Sequence, residues 1–443
     1  MKQQTSTTFF KTKKDYQTYK KTKKTFTQNI RKTRKQTNVI NNKSSKKNIA
    51  KNESKLGKKI IKIYNNNPND IAEYLKTVIK NKIDNDKFKK IEADFQSFDA
   101  SIQGGSGAIV GFLKSNPNIV VKIQYFKKKA NYDKMFEIDK KCLKINNKLN
   151  EVVSNNILNN LKYLNKFTPS ELKKVNKHIL PLIDSGFSDK AIYTLFPLVG
   201  FPINTPNGEL YCTNLTDILT HNHIPILKKL FAEQSSSSKN IIKKYDSVMS
   251  KNLDKYFKAL QLLQDKIEYI NTDLKLNNVF IKKNNKSSKE HNDLLKEGLI
   301  TNFEMLITDL EKSIHKLFDT KVLTYPNNNL KVRLADSVNF GLVYRVRYQC
   351  ISDFNKKCPT FNHKIYDNIF MIVNLIVVFL RYFNIQQINE NIPKIMNVLS
   401  NHLKLNKEDN MKMIHIISKN IFKKDKWVGL YLDRLIYNIC KKM

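Results

Sequence analysis

Three polar residues with complementary chemistry lie within six positions of one another: Asp273, Lys275 and Asn278, in the stretch INTDLKLNNVFI at 270–281. A carboxylate orients a hydroxyl and takes its proton, an ammonium neutralises charge on a transferred group, and an amide oxygen binds a hard cation. Together they suit phosphoryl transfer, which depends on positioning and charge stabilisation more than on covalent catalysis. The flanks add weight. YFKALQLLQDKIEYI carries Phe257, Leu260, Leu263, Ile267 and Ile270 on one face, so an amphipathic helix runs into the loop. Val279-Phe280-Ile281 then reads as a strand leaving it.

Other residues complete such a site. The chain has 11 glycines, and Gly104, Gly105, Gly107 and Gly111 fall within eight residues. A glycine turn between two strands brings backbone N–H groups close to phosphates. On that reading Gly104, Gly105, Ser106, Gly107, Ala108 and Val110 line a nucleotide, although an ordinary hairpin turn has the same composition. Lys122, in VVKI, is a cation on an apolar strand and needs an anionic partner: phosphates and a helix glutamate. Glu151 in KLNEVVSNNIL is the favoured glutamate and Glu137 the alternative. Asp309 ends the apolar run MLIT and is placed to hold a metal, with Asp336 in VRLADSVNFG as its competitor. Asp367, at the start of an apolar helix, is placed to hold the catalytic loop from below.

The elements that must position these residues follow from periodicity. Residues 58–92 have helical spacing and lead into a first strand. FDASIQGGSGAIVGFLK reads as strand–turn–strand, NIVVKIQYF as a strand, and 131–161 as helical again. HILPLIDSGF and IYTLFPLVGF read as two more strands. The region 210–270 and the last stretch of the chain are helical. Polar segments near 231–245 and 282–300 read as insertions. Strands first and helices later describe an α+β chain with a small β-rich lobe (95–200) and a larger helical lobe (201–443). A helical extension (58–94) and a basic tail (1–57) precede them, and the tail is too polar to fold alone.

The formal net charge is +40, and residues 1–60 hold 19 Lys/Arg against Asp15 and Glu53 alone. That balance suits contact with polyanions, nucleic acid or an acidic membrane, or reflects a Lys/Asn-rich coding bias. Cys142, Cys212, Cys350, Cys358 and Cys440 form no Cys-x-x-Cys pair, so reduced thiols in a reducing compartment are expected rather than zinc or disulfides. The longest apolar run, Ile369–Leu380, is shorter than the ~20 residues that span a bilayer and reads as a buried helix, so no transmembrane segment is expected.

Over roughly residues 95–385 the chain resembles the eukaryotic-type protein kinase superfamily, and looks most like divergent Ser/Thr kinases of large nucleo-cytoplasmic DNA viruses, related to the poxvirus virion kinase. IQGGSGAIV with VVKI, NTDLKLNNVFI, LITDLEKSI and VRYQCISDFNKKCPTFNHKIYDNIF carry the resemblance. It implies a bilobal protein-kinase-like fold, ATP with Mg²⁺ or Mn²⁺, Ser/Thr protein substrates, and a setting in the host cytoplasm or the virion. It gives Lys122, Asp273, Asn278 and Asp309 the roles above, and Lys275 favours protein Ser/Thr kinases over small-molecule or lipid kinases of the same fold. A catalytically weak or dead pseudokinase serving as a basic scaffold is the other rival. The departures are Gln103 and Ala108 in place of two glycines, Asp-Leu-Glu at 309–311, and no clear Ala-Pro-Glu. Asn271-Thr272 stands in place of His-Arg. Lacking that arginine, the chain is not expected to need activation by loop phosphorylation.

Overall fold

Lys122 and Gln124 point to one side of their strand while Val121 and Ile123 point to the other, and this alternation organises the sheet-rich half of the chain. The structure, a computed structural model, describes residues 76–98, 108–205, 208–316, 323–327 and 366–421, apart from positions 78, 128, 140, 141, 272 and 314. The tail, Gly104, Gly105, Ser106, Gly107, Thr272, Asp336 and the stretch 346–365 lie outside the described residues.

Helix α1 (Asn85–Asp94) begins at Asp84, whose side chain accepts from the Lys87 N–H, and runs directly into strand β1 (Phe95–Ser97). β2 (Ala108–Leu113) and β3 (Ile119–Tyr125) follow, then β4 (Phe136–Asp139), β5 (Cys142–Asn146) and helix α2 (Asn147–Leu158). After α3 (Pro169–Val175) come β6 (Asp184–Phe187) and β7 (Ala191–Pro197). β1, β2, β3, β7 and β6 form a five-stranded sheet in that order, with every pair antiparallel. Val121 and Ile123 pack with Phe88 and Ile91 of α1, so α1 covers one face of the sheet. The extension expected to precede the sheet domain therefore contributes to that domain's core. Gly111 belongs to this packing rather than to a phosphate turn: a Cβ there would lie 2.1 Å from the Gln96 carbonyl oxygen and 2.6 Å from the Phe95 ring.

The segment 131–161, read as helical, is only partly so. β4 and β5 form an antiparallel pair before α2 begins, and β5 is joined by a parallel strand contributed from residues 323–327. A pairing across so long a stretch of chain leaves no local periodic signature.

The hairpin β8 (Phe201–Thr205) and β9 (Gly208–Cys212) leads into a helical half. It comprises α4 (Leu215–Ile218), a π-helical turn at Leu219–His223, α5 (Ile224–Glu233) and α6 (Ser236–Ile267). Ser235–Ser238, expected as a surface insertion, instead starts the 32-residue helix α6: the Ser235 hydroxyl accepts from the Ser238 N–H, and Ser238 is buried. β10 (Val279–Lys283) and β11 (Phe303–Ile307) form an antiparallel hairpin. Between them, the stretch read as an insertion loop carries α7 (Lys289–Lys296), and Leu294 and Leu299 anchor it in the core. Short strands β12 (His315–Lys316) and β13 (Leu323–Asn327) complete the second sheet, in the order β12-β13-β5-β4.

The last described helices are α8 (Tyr366–Leu380), α9 (Ile385–Asn391), α10 (Pro393–Leu403) and α11 (Lys407–Ile421). Residues 369–380 of α8 are buried all round, as a core helix requires. Among the described residues no single helix is long and apolar enough to cross a membrane. The chain is thus a mixed α+β protein, with an antiparallel sheet towards its N-terminal side and a helical C-terminal part.

Candidate functional site

The site lies between the sheet and the helical part, and each of its side chains stands at the end or on the inner face of an element. The β2–β3 register sets Val110 opposite Lys122 and Ala108 opposite Gln124, so the strand leaving the glycine run lies beside the lysine. Lys122 Nζ reaches across to α2, 2.8 Å from Glu151 Oε1 and 2.7 Å from Oε2. Glu151, not Glu137, is the partner: Glu137 lies on strand β4, where its backbone pairs with Lys144.

Lys122 Nζ is also 3.4 Å from Asp309 Oδ1. Asp309 follows β11 with a positive φ of 55°, a left-handed conformation that aspartate tolerates better than most residues. Its Oδ2 accepts from Asn278 Nδ2 at 3.1 Å, and the same amide nitrogen donates to the Asp273 carbonyl at 2.8 Å. Lys275 Nζ stands 3.4 Å from Asp273 Oδ1, with the carboxylate buried and the lysine more than a third exposed. One connected set of contacts therefore runs Glu151–Lys122–Asp309–Asn278–Asp273–Lys275.

Three carboxylates crowd this set: Glu151, Asp309 and Glu311 each place an oxygen within 4.8 Å of the others. Burial alone would lower the Lys122 pKa, but Glu151, Asp309 and Glu311 more than reverse it and hold the ammonium charged. Burial pushes the Glu151 carboxyl up. Lys122 opposes that rise, and Asp309 and Glu311 reinforce it.

Several positioning groups have no signal in the local pattern. Asn271 stands two positions before the loop aspartate. Its backbone N–H donates to Asp367 Oδ2 at 2.7 Å, its side-chain amide donates to the Thr308 carbonyl at 3.0 Å, and its Oδ1 accepts from the Asp273 N–H at 3.2 Å. Asp367 thus holds the loop from the first turn of α8, where a brace was expected. Asn150, one position before Glu151, donates its amide to the carbonyls of Leu310, Glu311 and Ser313 at 3.3, 3.1 and 2.9 Å. Ser313 Oγ donates to Ser154 Oγ at 2.9 Å. Helix α2 is therefore fastened to the segment that follows Asp309. Gln124 Nε2 donates to Glu151 Oε2 at 2.6 Å. Besides Asp367, Gln124 alone of these has a readable cue, since a residue two positions along a strand shares the face of Lys122.

The arrangement offers a buried carboxylate beside an ammonium, a second ammonium gripped by a glutamate, and an amide and a carboxylate suited to a hard cation. No protein-family model matches the chain, and comparison with curated proteins gave no match.

Proposed function

We propose that the chain is an ATP-dependent Ser/Thr protein kinase with a bilobal, kinase-like fold, akin to the divergent viral kinases its motifs resemble. The observation that carries this is the unbroken set of contacts from Glu151 through Lys122, Asp309 and Asn278 to Asp273. These residues come from four separate stretches of the chain, and a packing role alone gives no reason for so many charged groups to converge.

On this reading Asp273 orients the acceptor hydroxyl and takes its proton, which its buried carboxylate beside Lys275 equips it to do. Lys275 offsets charge on the group in transfer. Lys122, kept charged by its three carboxylate neighbours, grips the nucleotide phosphates, and Ala108 and Val110 flank them on β2. Asn278 and Asp309 would hold Mg²⁺ or Mn²⁺. Asn278 spends its Nδ2 on Asp273 and Asp309, leaving its oxygen as the ligand atom, and oxygen donors are what these cations take. The bound cation would neutralise phosphate charge.

Transfer of radiolabelled phosphate from ATP to basic and acidic proteins, wild type against Asp273→Asn, tests the proposal. Equal labelling by both ends it. Labelling of small hydroxyl compounds but not of proteins would favour the small-molecule alternative. For the basic tail we propose polyanion contact. Deletion of residues 1–57 then lowers retention on DNA or anionic vesicles in a salt-dependent manner, and unchanged retention counts against it.

A further inference from the structure

Among the described residues Glu151 has three charged neighbours, and two of them repel it. Asp309 and Glu311 place carboxylate oxygens within 4.8 Å. The one cation, Lys122, is shared with Asp309 at 3.4 Å. A carboxylate so crowded needs a donor that it does not share. Gln124 supplies one: it stands two positions along β3 from Lys122, is 3% exposed, and donates from Nε2 to Glu151 Oε2 at 2.6 Å. Its Oε1 is buried with no hydrogen-bond partner among the described residues. Turning it over would set oxygen against oxygen at Glu151, so the contact fixes which end faces the carboxylate.

We propose that Gln124 is a positioning residue that holds the Glu151 carboxylate independently of Lys122. Glu151 then stays in place when the ammonium turns towards a phosphate, and Lys122 is recaptured when the phosphate leaves. The role in nucleotide binding rests on the phosphotransferase reading, whereas the grip on Glu151 does not.

Two variants of the full chain test it. Gln124→Met keeps the length and loses the donor. Gln124→Glu keeps the shape and donates only when protonated. The groups facing the pair are Lys122 on β3 and Asp309 and Glu311 after β11. Both variants are expected to melt below wild type, and Glu151→Gln is expected to rescue Gln124→Glu, because the exchanged pair still sets a donor against a carboxylate, but not Gln124→Met. A packing role would give deficits that simply add. In an active wild type, Gln124→Glu is expected to raise KM for ATP about tenfold near neutral pH, with kcat within about threefold, the loss of one charge-assisted hydrogen bond from ground-state binding. Additive deficits, or an unchanged KM beside an active wild type, overturn the proposal. If the wild type transfers no phosphate, the kinase reading fails, and the melting series still decides whether Gln124 holds Glu151.

Discussion

Asn278 donates to Asp309 Oδ2 at 3.1 Å, so the residue that ends the polar loop and a residue two positions past the neighbouring strand share a hydrogen bond. β10 and β11 bring them together, because Val279, directly after Asn278, pairs with Ile307, two positions before Asp309. Replacing Asp309 by asparagine removes the charge that a metal needs and preserves a residue that tolerates the left-handed backbone at φ 55°. Asp309→Asn is expected to fold normally by circular dichroism and to lose phosphate transfer by at least about 100-fold. Wild-type transfer in that variant would remove Asp309 from the proposed metal site.

Lys122 is the cation for a crowded group of carboxylates, and its removal has a signature beyond activity. Lys122→Met strands Glu151 in a buried position, and breaking such a pair costs about 3–5 kcal/mol. The sign with pH follows from the raised pKa of Glu151, which burial causes and the loss of Lys122 strengthens. A carboxyl whose folded pKa lies above its unfolded one binds the proton more tightly when folded, so its contribution is best at low pH and lost as pH rises. Urea denaturation should therefore show a larger deficit for Lys122→Met at about pH 8 than at about pH 5.5. An equal deficit at both would mean that Glu151 does not feel the lysine.

The parts of the site that were legible in the sequence share one property: each rests on a short stretch. Asp273, Lys275 and Asn278 sit on one loop between a helix and a strand, so spacing alone marked them. Lys122 and Asp309 were marked by the apolar strands around them. Helical context favours Glu151 over Glu137, and Glu137 lies on β4 because that segment pairs with β5. What stayed hidden depends on contacts between distant segments. The amide of Asn150 reaches carbonyls 160 residues further on, and no periodicity announces that. The serine run at 235–238 looked like an insertion from composition, yet serine at a helix start is a cap, and an apolar helical face follows it.

Asp367 has no exposed surface and accepts from the Asn271 backbone N–H at 2.7 Å. Asp367→Ala would leave that buried donor unpaired, at a cost of about 1–3 kcal/mol. It would also free Asn271, which ties the Asp273 loop to Thr308. The variant is expected to lose both stability and transfer. Asp367→Asn keeps an acceptor oxygen and should recover most of the stability. Comparison of thermal midpoints and initial rates for the pair decides it: if Asp367→Asn is no better than Asp367→Ala, hydrogen-bond acceptance is not what Asp367 provides.

His223 gives the helical half its own dependence on pH. It is fully buried in the π-helical turn, its Nε2–H donates to the Ile300 carbonyl at 2.8 Å, and its Nδ1 accepts from the Tyr245 hydroxyl at 3.1 Å. One neutral tautomer satisfies both contacts and ties the turn to the chain entering β11. Burial pulls its pKa down from 6.5 to about 4, with the Ile300 carbonyl opposing. The unfolded chain therefore binds a proton that the folded one refuses, and stability falls as pH drops from 6.5 towards 4. A shift of that size is worth about 3 kcal/mol across the window. His178 adds to the same trend, its pKa lowered by burial. His223→Gln, which cannot take up the proton, is expected to start from a lower stability at neutral pH and to show a flatter acid limb in urea titrations. An acid limb as steep as that of wild type would place the proton uptake on other groups.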